Sequence, residues 1–525
     1  MDERVEEEDR ISNLPEEILY NILYFMPKKD AAQTCVLSKS WRFLWQNRLT
    51  ISYSEGSSLF SGPHRTRLFI NAVQSHLSKD NHHRIEEFHL DLNSSDSASL
   101  LENWIPMLKS IGVKDFFLSI DLHAPEPEQP SSSSSSYFHL PSVFFQAESL
   151  TSLRLVRCKF PQYDRIVHFH RLEVICLRNV EFTDQHTINK IFSTCPLITS
   201  IHLEECKGLH LTNIDVFLKH LKHFTFINKQ FKDEFCGIDI LSVSTIETIH
   251  IHGSSTRFRF HGHNFTYLKE LSLKFVIYST DSFDFSSCYE FPLLESFDIT
   301  GSGLEDINLR MHAPKILHFK CLGYNSIPSI SFTTPMSRQC RSVLGFRCRH
   351  PESNWFLELS VLLHAFSQSQ IYLTVFLDPM PNILNIKREV IDNIDGVDVE
   401  ELGLNMVHPS PFTTFLDCMF SIFRPRNIVQ HSYVLESHIE RDQKHLTEFL
   451  CNFLTMKRWE FTRKEDLEEV RIESFDADNQ QWEPVLLSEC ALLPKSKNRV
   501  RFQLKWSEDA NRDEESSSSK RRKLE

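Results

Sequence analysis

The sequence predicts an α/β protein in two parts: a small all-helical module over the first fifty residues, then an irregular repeat solenoid with a parallel sheet on its concave face. Three observations carry this. Residues 14–45 place apolar side chains at helical spacing, punctuated by prolines. A pattern L-x-x-L-x-L, with aliphatic or Phe substitutes, recurs from Leu150 to Ile316. No glycine-rich phosphate loop or long apolar run competes with that reading.

The helical module spans Asp9 to Gln46. Pro15 suits the first turn of a helix, where its missing N–H costs nothing. Glu16 and Glu17 follow, favourable at the positive helix start. Ile18, Leu19, Ile22, Leu23 and Met26 repeat at 3.6-residue spacing until Pro27 stops the helix. Asp30 is a good N-cap for a second short helix through Ala31, Ala32 and Val36, and Ser38 for a third whose Trp41, Leu44 and Trp45 share a face. A unit this small rarely buries so much apolar surface alone. The surplus is expected to face a partner, or else to pack on the rest of the chain.

The repeat starts fall at Leu150, Leu172, Ile198, Leu221, Ile246, Leu268, Leu294 and Ile316, with steps of 22 to 26 residues. Poorer copies begin at Ile85 and Val113. Each unit reads as a strand and a return segment. Alternation sends Leu153 and Leu155 inward and Arg154 outward. Stacking then buries a continuous core that one repeat could not. Cys158 and Cys206, which close two of the units, read as turn-core residues rather than nucleophiles.

The expected boundaries are an acidic tail at 1–8, the helical module at 9–50, a connecting segment at 51–84 and repeats at 85–380. A solvated Ser/Pro loop interrupts the repeats at 125–136. Degenerate repeats and a terminal cap follow at 381–506, with isolated copies at Val399 and Leu467 and two apolar helices between them. A disordered tail at 507–525 carries the cluster Lys520 to Lys523, similar to a short nuclear-import signal.

The formal charge of −13 argues against a generic nucleic-acid binder. No stretch approaches the ~18 apolar residues of a membrane span, and the acidic start lacks the apolar region of a secretory signal. The 13 cysteines are scattered without a C-x-x-C pair, which fits reduced thiols in cytosol or nucleus. The 26 histidines raise the question of a metal enzyme. His250 and His252 share a strand face, as do His168 with His170 and His261 with His263, but no H-E-x-x-H occurs. No catalytic, metal or cofactor site is assigned.

The string L-P, I-L-x-x-I-L, a second proline and V-L-S-K-x-W-R-x-L-W closely resembles the F-box. The array resembles the irregular leucine-rich repeats of plant F-box/LRR-repeat proteins. The pattern of the FBD module that many such proteins carry near the C-terminus is not evident here. The resemblance implies that the F-box docks on a Skp-type adaptor and through it on a cullin-RING ligase core. Carried over position by position, the implied contacts are Leu14, Pro15, Ile18, Leu19, Ile22, Leu23, Val36, Leu37, Ser38, Trp41, Leu44 and Trp45.

The expected function is therefore a non-catalytic substrate adaptor of an SCF-type (Skp–cullin–F-box) ubiquitin ligase, in cytoplasm or nucleus. An unknown target protein would meet the concave sheet, whose outward columns offer Arg154, Arg178, His202, Glu204, His250, His252, Lys274, Asp298 and Lys320. Any soluble solenoid carries polar outward columns, so these mark exposure first and binding second. The alternatives are a small-molecule co-receptor using the repeat cavity and a repeat scaffold outside any ligase.

Overall fold

The structure is a computed structural model. It describes residues 11–507 apart from 12–13, 27, 47–49, 58–59, 61, 79–84, 122–136, 161–168, 215–217, 230–235, 242–244, 263–264, 279–281, 284–287, 305–306, 324–326, 349–351, 378–395, 407–411, 430–442, 456–465, 477–478 and 487–499. The acidic tail at 1–8, the Ser/Pro loop and the Lys520 to Lys523 cluster lie outside the described residues. The chain divides into two compact units: residues 1–212 with 216–226, and residues 213–215 with 227–525.

The first unit opens with helices Glu16–Phe25 (α1), Lys28–Gln33 (α2) and Lys39–Gln46 (α3), with a 3-10 turn over Thr34–Val36 between the last two. Pro15 stands at the N-cap of α1, one position before the first turn, its φ of −54° already helix-compatible. Asp30 does not cap α2. It lies within its first turn, where a carboxylate still complements the helix dipole. Ser38 caps α3 as expected, its Oγ accepting from the Trp41 amide at 3.2 Å. Leu19, Leu23, Ala31, Trp41 and Leu44 form the buried core, with Tyr20, Ile22 and Met26 packed against it.

The parallel sheet begins earlier than the repeat pattern indicates. Thr50–Ser54 (β1) pairs in parallel register with Glu87–Leu92 (β2), and helix Arg65–Leu77 (α4) lies between them in sequence. The span 51–84 is thus a first repeat rather than a connector. Helices Ser95–Ser99 (α5) and Leu101–Ile111 (α6) lead to Asp115–Ile120 (β3). After Phe138–His139 (β4) come Ser152–Val156 (β5), Cys158–Phe160 (β6), Val174–Arg178 (β7), Glu181–Phe182 (β8), helix Gln185–Thr194 (α7) and Ser200–Glu204 (β9). Strands β1, β2, β3, β5, β7 and β9 are neighbours in one parallel sheet. The short β4, β6 and β8 make a second sheet from the return segments. Leu153 and Leu155 are buried and Arg154 exposed, as the alternation requires. Phenylalanines fill the interior: Phe88 stacks on Phe116 at 6.5 Å, which meets Phe144 at 6.0 Å.

The first repeat holds a buried carboxylate. Glu55 is 2% exposed and accepts from the amides of Asn93 at 2.8 Å and Ser94 at 3.1 Å. Burial alone would push its pKa up. Hydrogen bonds from Asn93, Ser94, Thr66 and Ser97 more than offset that and hold the carboxyl below its ordinary value. A depressed folded-state pKa contributes stability that is full above the unfolded value of ~4.3 and is lost as pH falls through the folded one. The Asn93 and Ser94 amides are therefore expected to lose hydrogen-exchange protection on acidification below about pH 4. Glu55→Gln should flatten that dependence. Protection in the wild type that does not change with pH contradicts this role.

The second unit continues the same construction. Strands Thr248–Gly253, Glu270–Ile277, Ser296–Ser302, His318–Gly323, Arg341–Cys348, Gln370–Leu377, Glu401–Met406 and Asn427–Val429 are successive parallel neighbours. The expected copy after Val399 is the strand Glu401–Met406. The copy expected at Leu467 is not a repeat. Leu467–Asp476 pairs antiparallel with both Val500–Trp506 and Gln481–Pro484, and Val500–Trp506 pairs antiparallel with Asn427–Val429. This antiparallel extension covers the last parallel strand, and the buried Trp506 indole donates to the Pro425 carbonyl at 2.9 Å. The two apolar helices are present at Phe412–Ile422 and Gln443–Thr455.

Close approach fixes Gly301. A Cβ on Gly301 would collide with the Val276 carbonyl and lie 2.7 Å from the Tyr278 ring. Gly301→Ala is expected to destabilise the second unit by ~1–3 kcal/mol, read as a lower denaturant midpoint. An unchanged midpoint would show that the strand can shift freely.

Candidate functional site

The helical module presents a face and a core, and the sequence-derived contacts divide between them. Leu14, Pro15, Ile18, Val36 and Leu37 are exposed, with Val36 83% and Leu37 66% accessible. Ile22 and Ser38 are half-buried. Leu19, Leu23, Trp41 and Leu44 point inward, Trp41 only 4% exposed, so they are corrected from contact residues to the frame beneath the face. The reason is geometric. Three short helices bring one stripe from α1 and one from α3 together, and whatever lies on those stripes becomes the interior. The Trp45 side chain lies outside the described residues.

The expectation missed Ile11, Phe25 and Phe43, all exposed, Phe25 at 82%. A signal existed for Phe25. Ile18 and Phe25 are seven apart, which aligns them on one side of α1 away from Leu19 and Leu23. This module therefore displays a large apolar surface for its size. Isolated exposed apolar residues are ordinary, but a set gathered on one small module marks an interaction site.

The outward face of the first-unit sheet carries charge in ordered columns. Ser52, His89, Phe117, Arg154, Cys176 and His202 form one row; Ser54, Asp91, Ser119, Val156, Arg178 and Glu204 form the next. Arg154 reaches Asp115 at 3.4 Å, while Arg178 and His202 meet Glu204 at 3.0 and 3.3 Å. Arg157 pairs with Asp121. Exposed pairs of this kind contribute only ~0–1 kcal/mol each, so they order side chains more than they stabilise the fold.

Arg157, Asn179 and Glu205 each adopt a positive φ of 50–57° one step after β5, β7 and β9. The Arg157 amide donates to the Arg178 carbonyl at 3.0 Å and the Asn179 amide to the Glu204 carbonyl at 2.8 Å. This left-handed step turns the next residue inward, which is why Cys158 and Val180 are fully buried. Burial pushes the Cys158 thiol well up, which fits a core residue and not a nucleophile. Cys206 occupies the equivalent place, half-buried, with Sγ 3.5 Å from the Leu177 carbonyl. Asp91, Asp121, Arg157 and Asn179 were not singled out from sequence. They line a polar concavity of about 510 Å³ with Arg178 and Glu204.

The second unit's outward face holds the remaining candidates. His250, Ser272, Asp298 and Lys320 lie side by side across four strands, as do His252, Lys274, Thr300 and Leu322. His250 lies 3.2 Å from Glu270, and Lys274 3.3 Å from Asp298, which also accepts from Thr300 at 3.1 Å. His252 stacks on Phe275 with centroids 5.2 Å apart. His250 and His252 thus have different neighbours, and His168 and His263 lie outside the described residues. Among the described residues, no helix is long and apolar enough to cross a membrane.

Comparison with known proteins matches both parts of the chain. A family profile described as an F-box domain matches residues 11–51, and one described as the At1g61320/AtMIF1 LRR domain matches residues 77–333. Relatives in Arabidopsis thaliana include the F-box/FBD/LRR-repeat protein At4g26340, 24% identical over 46% of this chain and 54% of its own length. The F-box/LRR-repeat protein At4g14103 is 27% identical over 43% of this chain and 57% of its own. The FBD-associated F-box protein At5g56370 is 29% identical over 36% and 42% respectively. The chain spans about half the length of the curated relatives it matches. It carries an F-box domain followed by a leucine-rich repeat domain, and its relatives are plant F-box/LRR-repeat proteins.

Proposed function

We propose that this chain is the substrate-recognition adaptor of an SCF-type ubiquitin ligase. Its F-box docks on a Skp-type adaptor and so joins a cullin-RING core, while the outward face of the repeats holds a target protein. The observation that carries the reading is the exposed apolar set Leu14, Ile18, Phe25, Val36, Leu37 and Phe43 on a module that matches the F-box. No catalytic step falls to the chain itself. Tethering raises the effective concentration of target lysines beside the charged conjugating enzyme. The test is assembly of the purified chain with a plant Skp-type adaptor. A stable complex on size exclusion is expected; absence of any complex leaves only a repeat scaffold.

A second reading, a small-molecule co-receptor, draws on the concavity of about 510 Å³. Its volume is in the range of ligand sites, but such sites are mostly apolar, whereas charged and amide side chains line this one. Protein recognition is the better fit. Thermal stabilisation by a plant-hormone panel would reverse that preference.

The compartment we propose is cytoplasm and nucleus, with import through Lys520 to Lys523. Deletion of residues 518–525 is expected to lower nuclear accumulation of a fluorescent fusion. Unchanged accumulation removes the import role and leaves the adaptor role intact.

A further inference from the structure

We propose that the trough across β1, β2 and β3 receives a basic side chain, lysine or arginine, of the target protein; this rests on the reading of the outward sheet face as the target site. Two neighbouring rows build the trough: Ser52, His89 and Phe117, and Ser54, Asp91 and Ser119. They line a concavity of about 250 Å³, and it shares Asp91 and Ser119 with the larger one beside it.

The charge balance differs from that of the later strands. Asp115, Asp121 and Glu204 each face an arginine. Asp91 accepts from the Ser54 hydroxyl at 2.9 Å and has no cation at ion-pair distance among the described residues. The next cation in its row is Arg178, three strands away at about 14 Å, given strand spacings of ~4.8 Å. A half-buried carboxylate inside a concavity, with no cation beside it among the described residues, favours a cation from outside.

Phe117 completes the chemistry. Its position is outward, where later repeats carry Arg154, Cys176 and His202, so the core does not require an aromatic there. The ring is half-buried and contacts His89 at 5.6 Å. Asp91 and Phe117 stand diagonally across adjacent strands, about 7–8 Å apart at the backbone. An alkylammonium or guanidinium can lie between them, its charge on the carboxylate and its face or stem on the ring. The serines on either side add hydroxyl acceptors. An acidic side chain would meet an uncompensated carboxylate and be repelled.

The test pans a phage-displayed library of random peptides against the immobilised full chain at physiological salt, with counter-selection on Ser119→Lys. That substitution places a cation beside Asp91 and fills the trough from within. Peptides kept by the wild type and rejected by Ser119→Lys are expected to share a lysine or arginine. They should bind Asp91→Asn about tenfold more weakly and Glu148→Gln, an acid elsewhere on the surface, unchanged. Circular dichroism checks that each variant is folded. Shared residues that are acidic or neutral, equal binding to Asp91→Asn, or no selective peptide at all would overturn the proposal. Peptides sensitive to Arg178→Ala but not to Asp91→Asn would overturn it while sparing the outward face as target site. Binding insensitive to every outward-face substitution would remove both.

Discussion

Val36→Ala with Leu37→Ala abolishes capture of the Skp-type adaptor and leaves the circular dichroism of the chain unchanged. Both side chains lie on the turn between α2 and α3, and their exposure means that truncation removes little from the interior. Apolar anchors that become buried at an interface typically cost at least ~2 kcal/mol on truncation, roughly a thirtyfold weakening for one such loss. Leu14→Ala with Pro15→Ala acts in the same direction from the start of α1. The measurement is pull-down or calorimetry with purified adaptor. Wild-type affinity in both double variants would place the docking face elsewhere on the module.

Trp41→Ala acts by a different route. Trp41 is packed with Leu19, Leu23, Ala31 and Leu44, although the F-box resemblance implies a contact role for it. Truncating a buried tryptophan costs ~3–5 kcal/mol. A three-helix module of this size has no such reserve. The expected result is loss of hydrogen-exchange protection across α1 and α3, with adaptor binding lost as a consequence. Solenoid repeats contact mainly their neighbours, so protection in β5, β7 and β9 persists. Protected α1 amides in Trp41→Ala would show that the module tolerates the cavity.

On the proposed function, adaptor docking and target capture are separable. The variants of Leu14, Val36 and Leu37 lie in the helical module, and Asp91 and Phe117 lie on the sheet. A chain carrying Asp91→Asn is therefore expected to keep the adaptor and lose its selectivity for basic peptides.

Much of the architecture could be read locally. Ile18 to Met26 announces a helix, and Ser38 its successor, because period and cap are properties of a few adjacent residues. The strands at Leu153, Ile175 and Ile201 follow from L-x-x-L-x-L for the same reason, and their outward columns follow from alternation. The β1 repeat escaped notice because TISYS offers only Ile51 and Tyr53 as inward positions and no leading leucine. LEEVRI carries the alternation of a repeat strand yet runs antiparallel. Alternation records which side a residue faces, not which strand it pairs with or in which direction.

The sequence by itself determined the helical class of the first module, its resemblance to an F-box, and the inward or outward sense of the repeat strands from Leu150 to Ile316. Tertiary structure alone decided which apolar residues of the module form its core and which its face. Leu19 and Leu37 are the same residue type, and only the packing of the helices separates them. It also decided which charges are compensated. Asp91 and Asp121 are the same residue type, but a left-handed turn at Arg157 delivers a guanidinium to one of them and none to the other. Pairing across strands depends on register and on backbone direction, and neither is written in the identity of a single residue.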